Sequence, residues 1–135
     1  MYNLSMKNLI VLLLSLVITN TALAKLTGSQ QSFNHAFEER MKLDGNDGEE
    51  LDIEIGKMIK THPTNFLKAL KKYREKTVRL DSILMNLGDE YVDQEEKTKL
   101  EWKARATVFE KFRVKSSDKS LKALATECIE ILKRQ

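Results

Sequence analysis

The chain contains two His, one Cys and twenty Asp or Glu, and the positions of these residues bound the chemistry open to it. Nucleophilic catalysis needs a nucleophile, a base and a group that orients the base. No Ser lies between glycines, His35 falls beside an apolar helical stripe, and His62 directly precedes Pro63, where a helix boundary accounts for it. We therefore assign no catalytic residue and expect no enzymatic activity. Metal binding is tested by spacing. His35, Glu38 and Glu39 fall within about one turn, but a zincin-type helix needs a second His where Glu39 stands.

The segment Asp44 to Glu54, DGNDGEELDIE, has the outline of a calcium site: helix, acidic Gly-containing loop, helix. Its register fails. With Asp44 at position one, the sixth position is Glu49 instead of Gly and the twelfth is Ile55 instead of a bidentate Glu. Asp44, Asn46, Asp47 and Asp52 remain an irregular set of oxygen donors, and they support the alternative of a metal-binding or calcium-responsive helical protein or enzyme. A turn followed by an acidic helix start explains the same residues without a cation. No metal or cofactor is expected.

Cys128 lies on an apolar stripe, where a free thiol behaves as a small hydrophobe. An inert buried thiol is expected in preference to an intermolecular disulfide. What remains is surface. An acidic loop from Gly88 to Glu96 carries Glu90, Tyr91 and Val92, and a basic helix side carries Lys68, Lys71 and Lys72 with Arg74 and Lys76. Tyr91 and Val92 are expected to fold back as a plug between neighbouring helices. Exposed instead, they would form a recognition tip with an aromatic anchor.

These residues must be positioned by helices. Of the 135 residues, 41% are hydrophobic and 32% charged, with only five Gly and one Pro, too few for a turn-dense β-sandwich. A single Cys excludes an intramolecular disulfide. The net charge of +3 is spread among alternating acids and bases, and no Gly-rich phosphate loop occurs, so nucleic-acid and nucleotide binding are not expected. The first 24 residues contain no Asp or Glu and one Lys. Lys7, the apolar run Leu9 to Ile18 and the small residues Ala22 and Ala24 have the layout of a secretory signal peptide cleaved after Ala24. The run is too short for a membrane anchor, which needs about 20 apolar residues. Met6-Lys7 also makes a more natural start than Met1. Residues 25–135 are then one helical domain, in the periplasm or outside the cell, with no membrane span once the leader is removed.

Helical spacing and boundary signals divide the mature part into six helices. The first runs from about Ser29 to Leu43, with Phe33, Ala36, Phe37 and Met41 inward. Asp47 and Glu50 supply a capping box for the second, whose stripe is Leu51, Ile55, Met58 and Ile59. Pro63 starts the third, with Phe66, Leu67, Ala69, Leu70 and Tyr73 on one face. Leu80, Ile83, Leu84 and Leu87 define a short fourth helix with Gly88 as its cap residue. Asp93 and Glu96 open the fifth, which is apolar over more than half its circumference through Leu100, Ala104, Val108 and Phe112 and through Trp102, Ala106 and Phe109. That helix is expected at the centre. Ser116 or Ser117 caps the sixth, where Leu121, Leu124, Ala125, Cys128 and Leu132 recur at helical spacing.

The fold class is accordingly all-α: about six short amphipathic helices in an antiparallel array, either a closed bundle or a HEAT-like α-α superhelical stack. The function expected is binding of an as yet unidentified protein, as an inhibitor or immunity-type factor, by a monomer or weak homo-oligomer. A structural role in envelope assembly is a further alternative.

Overall fold

Ser29 opens the first helix by accepting the Ser32 N–H on its hydroxyl at 3.1 Å, which satisfies one of the donors a helix start leaves unpaired. Helix α1 (Gln30–Lys42) then buries Phe33, Ala36 and Phe37. Met41, expected on the same face, is 42% exposed because the helix ends before another turn can cover it. The computed structural model describes residues 26–76 and 79–135. The proposed leader and its cleavage after Ala24 lie outside the described residues.

Helix α2 (Gly45–Lys57) starts two residues before the expected capping box. Its N-cap is Asp44, which makes no side-chain cap hydrogen bond. Gly45 takes φ +59°, a conformation that costs glycine nothing. Helix α3 (Pro63–Tyr73) has Pro at its first position, as expected, and buries Phe66, Leu67, Ala69, Leu70 and Tyr73. Helix α4 (Leu80–Met85) is only six residues long, and a 3-10 turn, Asp89–Tyr91, follows it. Helix α5 (Glu95–Lys115) has Gln94 as its N-cap, so the expected Asp93–Glu96 capping box does not form. Helix α6 (Lys119–Lys133) is capped by Asp118 and not by Ser116 or Ser117. The Asp118 carboxylate accepts the N–H groups of Ser120 and Leu121, both at 3.0 Å, and it brings a negative charge to the helix start that a Ser cannot bring.

The centre of the bundle is α3. Phe66 meets Phe33, Phe37 and Phe109 with ring centroids 6.2, 6.2 and 5.8 Å away, so one ring joins α1, α3 and α5. Phe37 stacks on Tyr73 at 6.0 Å. Helix α5 is less central than its composition suggests. It buries Arg105, Ala106 and Phe109, while Leu100 and Val114 are 67% and 85% exposed. Its apolar residues are not confined to one stripe, and a single core can cover only the face through Trp102, Arg105, Ala106 and Phe109.

Contacts return across the chain: α3 packs on α1, α5 and α6, α2 on α1 and α4, and α6 on α3, α4 and α5. In a linear stack each helix would meet only its neighbours. The described residues instead form an all-helical bundle around one core. Among them, no helix is long and apolar enough to cross a membrane.

Cys128 is fully buried on α6, as its stripe position implied. Burial pushes its thiol from an ordinary 9.0 up to about 12. The thiol is therefore expected to resist iodoacetamide at pH 8 in the folded protein and to react fully in 8 M urea, as read by mass spectrometry. Because the folded state keeps the proton that the unfolded chain releases, stability should decline as pH rises from about 9 towards about 12. Rapid native-state labelling would contradict this burial.

Candidate functional site: an acidic tip on a buried guanidinium

Helix α4 ends inside the protein, and its last carbonyls lack partners within so short a helix. Helix α5 supplies them. Arg105 Nη1 donates to Leu84 O at 2.8 Å and Ile83 O at 3.4 Å, and Trp102 Nε1 donates to Met85 O at 3.0 Å. Arg105 is 2% exposed, and burial lowers its pKa from the ordinary arginine value. Glu101, 3.4 Å from Arg105 Nε, opposes that shift and also pairs with Lys60 at 2.8 Å. A cation at a helix C-terminus is further favoured by the helix dipole. Gly56 of α2 completes this junction: a Cβ there would stand 2.4 Å from Ile83 O and 2.8 Å from Arg105 Nη1.

The acidic loop rises from this base. Asn86 Oδ1 accepts the Gly88 N–H at 3.3 Å, and Gly88 turns the chain at φ +90°. The 3-10 turn is held by Tyr91 N–H to Gly88 O and Val92 N–H to Asp89 O, both 3.1 Å, and Gln94 N–H bonds Tyr91 O at 3.0 Å. Asp93 then adopts φ +59°, the one non-glycine positive φ among the described residues. Lys97 Nζ lies 4.6 Å from the Tyr91 ring centroid, a cation–π contact that fixes the ring from α5. Tyr91 is half-buried and also lies within electrostatic reach of Arg105. Val92 is 63% exposed. The expected plug between α4 and α5 is not what the tip shows: Tyr91 is half-buried against Lys97, and Val92 projects outward because the 3-10 turn sends consecutive side chains in different directions. Asp89, Glu90, Asp93, Glu95 and Glu96 surround it and are all exposed.

The other sequence-selected residues do not converge on a centre. Asp44, Asn46 and Asp47 are exposed at the start of α2. Asp52, in contrast, is fully buried and accepts from Arg40 Nε at 2.6 Å and Arg40 Nη2 at 3.2 Å, while Arg40 Nη1 donates to Leu43 O at 3.0 Å. The four candidate oxygen donors therefore do not form a cluster: the guanidinium already occupies the one buried carboxylate. Among the described residues, no group of three His, Cys, Asp or Glu is placed to hold a metal ion. His35 is exposed on α1, and His62 caps α3 with Nδ1 2.8 Å from Thr61 Oγ1 and its ring against Gly28. Lys68, Lys71 and Lys72 are exposed on α3, with Lys72 Nζ 5.3 Å from the Tyr73 ring centroid.

Among the described residues, the surface carries open clefts, of which three stand out. One of about 370 Å³ lies between α5 and α6 beside Trp102, Lys103 and Leu132; one of about 210 Å³ lies beside Arg40, Asp52 and Arg79; the third adjoins Arg74, Asp81 and Arg134. None of the three is lined by His35, His62 or Cys128.

Sequence reasoning missed Arg105, and it offered Asp52 only as an oxygen donor without foreseeing its burial. Both sit on the inner stripe by spacing: Trp102, Arg105, Ala106 and Phe109 follow i, i+3, i+4, i+7, and so do Asp52, Ile55, Gly56 and Ile59. Phase alone would have flagged them, had their charge not assigned them to the surface. No family model, no curated protein and no solved structure matches the chain.

Proposed function

We propose that this is an exported helical protein that acts by binding another protein, and that the tip around Val92 is its contact surface. The observation that carries the reading is an aliphatic side chain, Val92, 63% exposed on a loop held by hydrogen bonds from the Gly88, Tyr91, Val92 and Gln94 N–H groups. An ordered tip loses little conformational entropy on binding, which favours affinity. Tyr91 and Val92 supply the apolar centre, and Glu90 with its acidic neighbours supplies a polar rim. The acids favour a partner with a basic concave site and raise the rate of encounter with it. The leader pattern read from residues 1–24 supports a partner in the periplasm or outside the cell. Neutralisation of a toxin and inhibition of a hydrolase are the roles such a surface suits.

Affinity capture from the envelope fraction tests this reading, with Val92→Ser and Tyr91→Ala as variants. Either substitution is expected to raise the dissociation constant of a captured partner by about tenfold or more. Reversal of Lys71 and Lys72 to Glu should leave that constant within about twofold, because rim and remote charges contribute little to affinity. A partner captured equally well by wild type and both tip variants would refute the tip.

A further inference from the structure

The cleft of about 370 Å³ between α5 and α6 is lined by none of residues 86–93, and its lining divides into an apolar floor and a cationic rim. Ala106 and Leu132, each 4% exposed, close its base, and the half-buried Trp102 lines it beside them. The donors of this floor are already engaged within the protein. Trp102 Nε1 donates to Met85 O at 3.0 Å and Thr107 Oγ1 to Lys103 O at 2.9 Å, so neither has a proton left for a ligand. Three lysines form the rim, and their partners differ. Lys99 Nζ pairs with Glu95 and Lys133 Nζ with Glu110, each at 2.5 Å. Among the described residues Lys103 has no carboxylate within 4.0 Å. The lining and its ion-pair partners therefore carry one uncompensated positive charge. From Lys99 to Glu110 the cleft follows α5 for about 16 Å, at about 1.5 Å per residue.

We infer that this cleft binds a medium-chain fatty carboxylate, with its head group at Lys103 and its chain laid along Trp102, Ala106 and Leu132. Charge complementarity selects a monoanion, because a second negative charge would meet lysines that already have carboxylates. Shape selects a chain, since a slot of this length and volume is narrow. The volume stands at the small end of the range for ligand sites, about 300 to 1,000 Å³, and so suits one chain better than two. Lysine fits the head group as a compact charge on a flexible stem, and the methylenes of that stem can cover part of the chain. The cleft is open along one side. Its ligand therefore stays partly wet, and the affinity expected is moderate. This site stands independently of the tip's partner.

Trp102 is the one Trp in the chain, so its emission reports on the cleft directly. The test titrates sodium decanoate, below its micelle concentration, into protein as recovered from the expressing cell, with its N-terminus verified by mass spectrometry. Wild type is expected to show a saturable change in Trp emission with a dissociation constant of about 0.1 mM. The ligand should also raise the melting temperature. Hexanoate should bind at least about tenfold more weakly, because the shorter chain gives up methylene contacts. Decanol, which lacks the charge, should bind at least about fivefold more weakly. Lys103→Gln should weaken decanoate binding by about fivefold or more. Lys111→Gln, at an exposed α5 position outside the lining, should leave it within about twofold. Circular dichroism establishes that each variant is folded. No saturable change up to about 1 mM would overturn the site. So would a melting temperature lowered by decanoate, which marks unfolding by a detergent. Decanol binding as tightly as decanoate would overturn the anion, and equal losses for the two Lys variants would overturn its placement at Lys103.

Discussion

Replacement of Arg105 by Ala is expected to lower the free energy of unfolding by about 4 kcal/mol. Two effects combine. The substitution empties a volume surrounded by the core of α2, α4 and α5, and it leaves Leu84 O and Ile83 O, buried at the end of α4, without donors. Arg105→Met separates them. It keeps most of the volume and loses only the hydrogen bonds, so a loss of about 2 kcal/mol is expected. A domain of this size has about 5 to 15 kcal/mol to lose, so urea denaturation resolves both values. Arg105→Met at wild-type stability would show that the carbonyls find water and that the guanidinium contributes nothing to the fold. The Ala variant should also loosen the tip, because the same guanidinium holds the helix end from which residues 86–93 depart.

The second expectation turns on sign. Gly56 lies in the last turns of α2, and Ala is favoured over Gly in a helix by about 1 kcal/mol. Propensity alone therefore predicts that Gly56→Ala stabilises. Geometry predicts the reverse, since the new methyl would sit 2.4 Å from Ile83 O, a backbone atom that moves only if α4 moves. Overpacking of this kind costs about 1 to 3 kcal/mol, and here it also displaces Arg105 Nη1, 2.8 Å from the same methyl. The net expectation is a loss of about 2 kcal/mol. A rise in melting temperature would mean that α4 withdraws without cost and that its contact with α2 is loose.

Both residues bear on how far a sequence of this kind can be read. The apolar stripes of α1, α3 and α6 were legible because periodicity and burial express the same physical requirement: Phe33, Phe37, Phe66, Leu70, Ala125 and Cys128 are all fully buried at the expected positions. Ser29 and Pro63 were legible as helix starts because each acts on a local donor. Capping failed where several residues compete. Asp44, Asp47 and Ser116 to Asp118 are adjacent candidates, and the choice among them depends on where tertiary packing ends the helix. The inner-stripe phase of Arg105 and Asp52 was legible, but their pairing was not, for a different reason. Their partners, the α4 carbonyls and Arg40, become neighbours only when helices distant in sequence meet. The tip was half legible: its charge and its two apolar residues stood out, but the exposure of Val92 depends on a 3-10 turn that the composition does not announce.

The ion pair of Asp52 with Arg40 has a consequence beyond its own stability. Amphipathic helices of Phe, Leu and Ile can slide past one another by a turn, about 5.4 Å, and still match oil with oil. In this bundle such slippage of α1 along α2 strands a carboxylate without its guanidinium, and slippage of α5 along α4 strands a guanidinium without its carbonyls. Each displaced arrangement then contains an unpaired charge in a dry interior, which costs several kcal/mol. Greasy surfaces bring these helices together; two misplaced-looking polar residues determine which of the near-equivalent alignments becomes the native one.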